Sequence, residues 1–574
     1  MSAKSLTDWC NIELNAHRTI KFAFFPQETA PTMLPIVQSP ELVFGLCAPI
    51  GTDNAKVRRL IENELNKYRY HVEYFKITKL MQRLVPNGVE LKHLPFEDRY
   101  DTHINYANKL REAYKDPGLL GRICCGAIRN YRKNTKGDDG ALVERTAYLF
   151  DQFKRKEEIE ILRQVYGDLF VLVSVYSDND KRQENIVARI IDSHNVSRAT
   201  TEYSTKADEL IARDENEDGV SHGQRLREAF PLADLFIDID DEEAAEKVIS
   251  RFLKAFFGAY SVSPKSEEYG MYLAKTASLR SVDLSRQVGA AIMSGPGEVI
   301  TMGCNEVPKA GGGTYWADDP NDDRDYKRGL DENDRIKRGV LADVVRRLLE
   351  GDLVKTDLSV DQLVDKVLED VARKGSAIRE AELMDLLEFG RIIHAEMHAL
   401  CDAARLGKSV KGATLYSNVF PCHICAKHIV ASGVSKVVFI EPYPKSYASD
   451  LHRDSIAVKR GEKPNGKVQF EPFIGISPLR FRDLFQRSKR KDNHGKVLAW
   501  DEKSAQPVFK QTTRSYLVNE TAVTGALSES TRTLVASGQI SLTANQAPVE
   551  AYGPVEPAEI VSKGTDSIEG VAAV

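Results

Sequence analysis

The chain has 574 residues, of which 42% are hydrophobic and 28% are charged, and its formal net charge is −5. A chain of this length exceeds what one compact core supports, so two or three domains are expected. The acidic balance argues against a general nucleic-acid binder, which usually presents a basic face. Eight cysteines are too sparse for a disulfide scaffold.

The sequence shows no sign of membrane insertion or export. No stretch approaches the ~20 apolar residues that a membrane-spanning helix needs. The first 15 residues include Asp8 and Glu13 and lack the apolar core of a signal peptide. We therefore expect a cytoplasmic protein without membrane contact.

The N-terminal part of the chain alternates between predicted strands and helices. Mostly apolar runs begin at Leu42, Val72, Ala147, Phe170 and Asp234, and helical patterns separate them. Such alternation predicts an α/β domain with a parallel sheet, which we place at residues 1–262.

A turn in this part has some features of a phosphate-binding loop. Gly45 is followed after five residues by Gly51, Thr52 and Asp53, between a predicted strand and a predicted helix. The spacing is one residue longer than in Gly-x4-Gly-Lys-Ser/Thr, and Thr-Asp replaces Lys-Ser/Thr. Three interpretations stay open: a degenerate nucleotide-binding or regulatory domain, an active kinase, and a purely structural domain.

Three other residues of this part are candidates for a nucleotide site. Asp151 follows a predicted strand and would supply the carboxylate that such a site needs for a metal ion. Arg145 and Arg155 are candidate phosphate contacts.

A second unit is predicted at residues 263–490. It combines a helical pattern at 269–285, strands at 288–293, 299–303, 413–417 and 436–440, and a charged stretch at 318–338 that predicts an exposed loop or insertion. The rest, residues 491–574, forms a C-terminal extension. Its tail, from about Asn519, is rich in Ser, Thr, Ala and Val, which predicts weak packing or partial disorder.

The strongest chemical pattern lies in the second unit. His394 and Glu396 form a His-x-Glu motif, and a Pro-Cys-x-x-Cys motif with Cys422 and Cys425 follows. One imidazole and two thiolates can hold a zinc ion with one position open, which is typical of a catalytic site. This combination is the signature of zinc-dependent nucleobase deaminases, in which the glutamate is a general acid and base. The alternatives are a structural zinc and a chance Cys-x-x-Cys.

At these residues the chain resembles the cytidine/deoxycytidylate deaminase superfamily. Upstream, residues 278–290 resemble the segment before the first deaminase strand. Residues 303–308 resemble the family's Gly-Tyr-Asn-Gly-x-Pro, from which Cys304 and Glu306 depart. The resemblance covers about 267–447 and implies an α/β/α domain with a five-stranded sheet. It also implies that Asn305 binds the sugar.

A nucleotide substrate also needs a cation for its phosphate. The candidates near the expected pocket are Arg280 and Arg286 before the first strand of this unit, Lys309 after the Asn305 motif, and Lys445 near the end of the resemblance.

The whole arrangement is similar to bacterial antiphage deoxycytidylate deaminases, in which a P-loop kinase-like domain precedes the deaminase. The resemblance implies zinc-dependent deamination of dCTP and dCMP, which would deplete the dCTP that phage DNA synthesis needs. It also implies a homo-oligomer whose activity is controlled by a nucleotide effector or by an inhibitory small RNA or protein. Two alternatives stay open: a deaminase of tRNA or single-stranded DNA, and a nucleotide-sensing module with deaminase output.

Overall fold

The computed structural model describes residues 37–543 apart from short gaps at 38, 197–199, 218–219, 373–380, 443–445, 459–465, 488 and 510–514. The strands, numbered in chain order, are β1 (Leu42–Cys47), β2 (His71–Lys76), β3 (Leu84–Pro86), β4 (Thr146–Asp151), β5 (Phe170–Tyr176), β6 (Leu235–Asp238), β7 (Gly289–Met293), β8 (Val299–Cys304), β9 (Thr414–Val419), β10 (Lys436–Glu441), β11 (Ile456–Ala457), β12 (Val468–Pro472), β13 (Gly475–Ile476) and β14 (Ile540–Leu542).

The helices, also in chain order, are α1 (Asn54–Lys67), α2 (Ile77–Leu80), α3 (Phe96–Tyr114), α4 (Leu119–Lys136), α5 (Lys156–Tyr166), α6 (Asn179–His194), α7 (Thr201–Glu215), α8 (Leu226–Ala229), α9 (Glu242–Phe256), α10 (Ser266–Ser278), α11 (Asp325–Arg328), α12 (Glu332–Glu350), α13 (Val360–Ala372), α14 (Ala395–Arg405), α15 (His423–Ser432), α16 (Ala448–Leu451), α17 (Phe481–Phe485) and α18 (Ser515–Ala536). No helix within the described ranges is both long and apolar enough to cross a bilayer.

The first sheet has six strands in the order β13-β6-β5-β1-β4-β2. Its five N-terminal strands run parallel, as the sequence predicts, and β13 pairs with β6 in the antiparallel sense. Every residue of β1 is buried, because helices cover both faces of a parallel sheet and its central strands must be apolar on both sides.

The second sheet has six strands in the order β11-β12-β10-β9-β7-β8. Strand β7 is antiparallel to both of its neighbours, whereas β9, β10, β11 and β12 run parallel. The expected count of five strands is corrected to six. The additional strand, β11, has only two residues and lies at the sheet edge, where the sequence carries too little pattern to predict it.

The charged insertion is only partly exposed. It forms α11 and the start of α12, and Arg324 is 4% exposed. The guanidinium of Arg324 lies 3.3 Å from the carboxylate of Glu306, which is 1% exposed. The composition predicted an exposed segment because it does not reveal that buried charges can neutralise one another.

One helix of the C-terminal extension packs against the first unit through buried residues. Helix α18 lies against α4 and α5. Arg132, which is fully buried, contacts Glu520 at 2.5 Å and Glu41 at 2.8 Å, and Tyr516 donates to Glu41. The prediction of weak packing from about Asn519 is therefore wrong for the rest of α18, because these contacts come from distant parts of the chain. Residues 544–574 lie outside the described residues, and so does the N-terminal segment used to judge export.

Replacing Glu520 with Ala should lower the free energy of unfolding by about 3 kcal/mol, because Arg132 then stays buried with one carboxylate fewer. Chemical unfolding monitored by circular dichroism would measure the change. The control is Glu529→Ala, an exposed position on the same helix, which should leave the transition within about 0.5 kcal/mol of wild type. Equal stability of both variants would contradict the assignment of this ion pair as a main contact of α18.

Candidate metal centre and active site

Three predicted metal ligands meet at the starts of two helices. His394 precedes α14 and Cys422 precedes α15, each with extended backbone at the helix N-cap. The Nδ1 atom of His394 lies 3.2 Å from Sγ of Cys422 and 3.4 Å from Sγ of Cys425. Nitrogen and sulfur ligands of one tetrahedral zinc ion lie about 3.5 Å apart, so this donor set fits zinc.

The protonation of the two thiols supports a cation at this position. Hydrogen bonds with Cys425 and His394 lower the pKa of Cys422 to about 4. The contact with Cys422 and burial raise the pKa of Cys425, because a second thiolate beside the first is repelled. A divalent cation removes this conflict, since a metal ion coordinates both sulfurs in the thiolate form.

Glu396 lies beside the three ligands on the first turn of α14 and is 4% exposed. Its Oε1 accepts a hydrogen bond of 3.2 Å from the hydroxyl of Ser417 on β9. Burial raises the pKa of Glu396, and the negative charge of Cys422 raises it further. A carboxyl group in this state binds and releases protons closer to neutral pH than an exposed glutamate does.

A cavity of about 160 Å³ opens next to these residues. Its wall combines the zinc motif with the turn before β7 and with the charged insertion, including Asp325 and Asp331. The insertion therefore forms part of the wall of the site.

Asn305 lies in the cavity wall, but most of its amide is already engaged. It donates to Asp283 at 2.6 Å and to the carbonyl of Arg286 at 2.8 Å, and it accepts from the amide of Val288 at 2.7 Å. Three of its four hydrogen-bonding positions thus hold the turn before β7. The sugar-binding role of Asn305 stays a prediction.

The predicted phosphate contacts separate into two groups. Arg286 lines the cavity. Arg280 instead stacks on Trp316 at 3.5 Å and donates to Thr314, and Lys309 pairs with Asp319 at 2.7 Å, so neither lines this cavity. Lys445 lies outside the described residues. The prediction for Arg280 and Lys309 fails because proximity in sequence does not fix the direction of a long side chain.

Arg391 is a cavity residue that the sequence analysis missed. It lies three residues before His394, is 25% exposed, and donates to Asp325 at 2.8 Å. Its position immediately before the His-x-Glu motif was an available signal. That signal went unused because the preceding insertion was interpreted as exposed.

The residues predicted to form a phosphate-binding loop in the first unit have two different roles. Gly45 is a residue of β1, where a Cβ atom would lie 2.6 Å from the ring of Phe153, so it serves packing. Gly51 has a φ of +85°, and Gly51, Thr52 and Asp53 line another cavity, of about 290 Å³. The assignment of Gly45 to a phosphate loop is therefore corrected.

Of the other nucleotide-site candidates, Asp151 lines the same cavity. Arg145 donates to the carbonyl of Tyr68, and Arg155 pairs with Glu157, so neither reaches it.

Residues 264–441 match the family described as the cytidine and deoxycytidylate deaminase zinc-binding region. The deoxycytidylate deaminase of Enterobacteria phage T2 is 50% identical over 54 residues, which are 9% of this chain and 29% of that protein. The tRNA-specific adenosine deaminase of Bacillus subtilis (strain 168) is 33% identical over 121 residues, which are 20% of this chain and 74% of that protein.

A solved structure, the apo dCMP deaminase of cyanophage S-TIM5, aligns with 37% of this chain and 99% of its own at 17% identity, with a TM-score of 0.20. In sequence, the match to the phage deoxycytidylate deaminases spans less than a third of the length of those proteins.

Wild-type protein purified with zinc should contain about one zinc ion per chain, and Cys425→Ala should lose most of it, because two ligands rarely retain zinc. Elemental analysis by mass spectrometry would measure the content. Cys401→Ala, at an exposed cysteine, is the control and should keep the metal. Full zinc content in the Cys425 variant would rule out this ligand set.

Proposed function

The chain belongs to the cytidine and deoxycytidylate deaminase family, whose members are zinc-dependent hydrolases, and we propose that it deaminates deoxycytidine nucleotides. The reaction converts dCMP, dCTP or both to the deoxyuridine nucleotide and ammonia. The proposal rests above all on the meeting of His394, Cys422 and Cys425 beside the buried Glu396. The phage relatives, which are deoxycytidylate deaminases by name, support the choice of substrate.

The residues of the site have separate roles in the proposed reaction. Zinc, when bound by the three ligands, lowers the pKa of coordinated water and so supplies the nucleophile. Glu396 would take a proton from the attacking water and give it to the N3 atom of the cytosine ring, and it would then carry a second proton from the hydroxyl group formed at C4 to the amino group, which leaves as ammonia. The hydrogen bond from Ser417 holds the Glu396 carboxyl group in place, and the burial that raises its pKa suits it to carry a proton.

Two arginines are suited to bind the phosphate. Arg286 and Arg391 both line the cavity that contains Glu396. A guanidinium forms strong, charge-assisted hydrogen bonds with phosphate oxygens. We therefore assign the substrate phosphate to this pair.

A second candidate function is deamination of a base within a polynucleotide, which the similarity to the tRNA-specific adenosine deaminase favours. The charges around the cavity oppose it. Asp283, Asp325 and Asp331 line the cavity, and these carboxylates oppose the many phosphates of a polynucleotide more than a single nucleotide whose phosphate meets Arg286 and Arg391. The free nucleotide is therefore the preferred substrate.

The proposed biological role rests on the family resemblance. Similarity to bacterial antiphage deaminases suggests that the chain depletes dCTP during phage infection, under control of a nucleotide, small RNA or protein. We assign it to the cytoplasm, where these nucleotides are found.

Replacing Glu396 with Gln should reduce deamination of dCMP at least about 100-fold while zinc stays bound, because the proton carrier is lost and the ligands remain. Ammonia release would measure turnover with dCMP, dCTP, a deoxycytidine oligonucleotide and tRNA. Glu350→Gln, an exposed change of the same kind, is the control. Wild-type turnover in the Glu396 variant would exclude this residue from the reaction, and turnover of tRNA alone would replace the proposed substrate.

Replacing Arg391 or Arg286 with Ala should raise KM for dCMP about tenfold, because one charge-assisted hydrogen bond to the phosphate is lost. Deoxycytidine, which has no phosphate, should be turned over as in wild type. Steady-state kinetics with both substrates would separate the two effects, and the exposed Arg346→Ala is the control. An equal loss with both substrates would contradict a phosphate contact.

A further inference from the structure

The cavity of about 290 Å³ in the first unit has no part in the proposed deamination. It is lined by residues that follow β1, by the last residue of β2 and by the last residue of β4, at the carboxyl ends of three neighbouring parallel strands. Ligands of open α/β sheets bind at this end of the strands. Its lining shares no residue with the cavity beside the zinc motif.

One end of this cavity is strongly basic. Four residues, here called the cationic cluster, are Lys76, Lys79, Arg99 and Arg189. All but Lys79 line the main cavity, and Lys79 lines an adjoining one together with Lys76 and Arg99.

These cations lack the partners that other basic residues nearby have. Among the residues that the structure describes, no carboxylate lies within 4 Å of any member of the cationic cluster. Lys154, by contrast, lies 2.7 Å from Asp214.

The like charges of the cluster repel one another, and the carboxylate of Asp151 opposes this repulsion at Lys76. Burial lowers the pKa of Lys76. Asp151 raises this pKa, whereas the other three members of the cluster lower it. An anion bound between these side chains would relieve this repulsion.

The other end of the cavity contains buried polar atoms without hydrogen-bond partners. These are Oγ1 of Thr52, Oδ1 of Asp214 and Oε1 of Gln224, here called the polar end. Thr52 and Gln224 are each 6% exposed, and Asp214 is fully buried. Buried polar atoms in folded proteins nearly always have a partner, so these atoms indicate groups that a ligand would satisfy.

We propose that this cavity binds a small phosphorylated molecule of nucleotide size, with its phosphate at the cationic cluster and its remaining polar groups at the polar end. Tyr74 and Tyr100 also line the cavity, and their aromatic rings supply surface for a base or sugar.

The phosphate binds at the cationic cluster rather than on the turn after β1. The carboxylate of Asp53 accepts a hydrogen bond from the amide of Lys56 and lies at the start of α1, where it would repel a phosphate. This site therefore differs from a phosphate loop of the Gly-x4-Gly-Lys-Ser/Thr kind.

Isothermal titration calorimetry on the full-length, zinc-loaded chain tests the site, with inorganic phosphate, AMP, GMP and dTMP as probes. At least one of these nucleotides should bind, and inorganic phosphate should compete with it. The double variant Arg99→Ala/Arg189→Ala should weaken binding of that nucleotide at least tenfold, because two cations are removed.

The control is Lys109→Ala/Lys247→Ala, which removes the same charge from two exposed positions of the first unit and should bind as wild type does. Circular dichroism and zinc content check that each variant is folded, and the single change Arg189→Ala, at an exposed position, replaces the double variant if that one misfolds.

A third variant separates the two ends of the ligand. Thr52→Val removes the unpartnered hydroxyl and should weaken the nucleotide about threefold or more while inorganic phosphate binds unchanged. Failure of all probes to bind at millimolar concentration, or equal affinity in wild type and the Arg99/Arg189 variant, would overturn the proposal. These results do not depend on ammonia release, so they can fail while the proposed deamination holds.

Discussion

The site depends on one constraint: two cysteine sulfurs and one imidazole nitrogen are held close together at the starts of α14 and α15. The contact with Cys422 and burial disfavour the thiolate form of Cys425, and a divalent metal that prefers sulfur and nitrogen would stabilise both thiolates. The same constraint fixes Glu396, because it lies two residues after His394 on the first turn of α14. A change that moves either helix start would disturb metal binding and proton transfer together.

The second sheet maintains this constraint by bringing its helices very close. A Cβ atom at Gly303, on β8, would lie 2.3 Å from the carbonyl oxygen of Ala395 at the start of α14. Glycine at this position therefore lets the zinc helix approach the sheet. Ser417 on β9, which β7 separates from β8, donates a hydrogen bond to Glu396. The sheet and the helices packed on it thus position the candidate metal ligands, Glu396 and Ser417 together.

The two sheets are joined through buried charges as well as through the chain. Glu268, at the start of α10, is fully buried, pairs with Arg251 of α9 and accepts from the amide of Ile476 in β13. Arg480 pairs with Asp168 and with Asp234 of the first unit. Helix α10 also packs on β7 and β9 of the second sheet, so one helix contacts both sheets. The cavity of the first unit and the candidate metal centre therefore belong to one continuously packed molecule.

The sequence by itself predicted the metal-ligand set that the structure brings together, the place of Glu396 beside it and nine of the twelve strands of the two sheets, because each rests on a local pattern: motif spacing for the site, and short apolar runs for the strands. Tertiary structure decided the rest. It buried Arg324 of the charged insertion against Glu306, directed Arg280 and Lys309 away from the cavity, brought in Arg391, and packed α18 onto Arg132. These outcomes depend on pairing between residues far apart in the chain, and no local pattern records which charge will meet which partner.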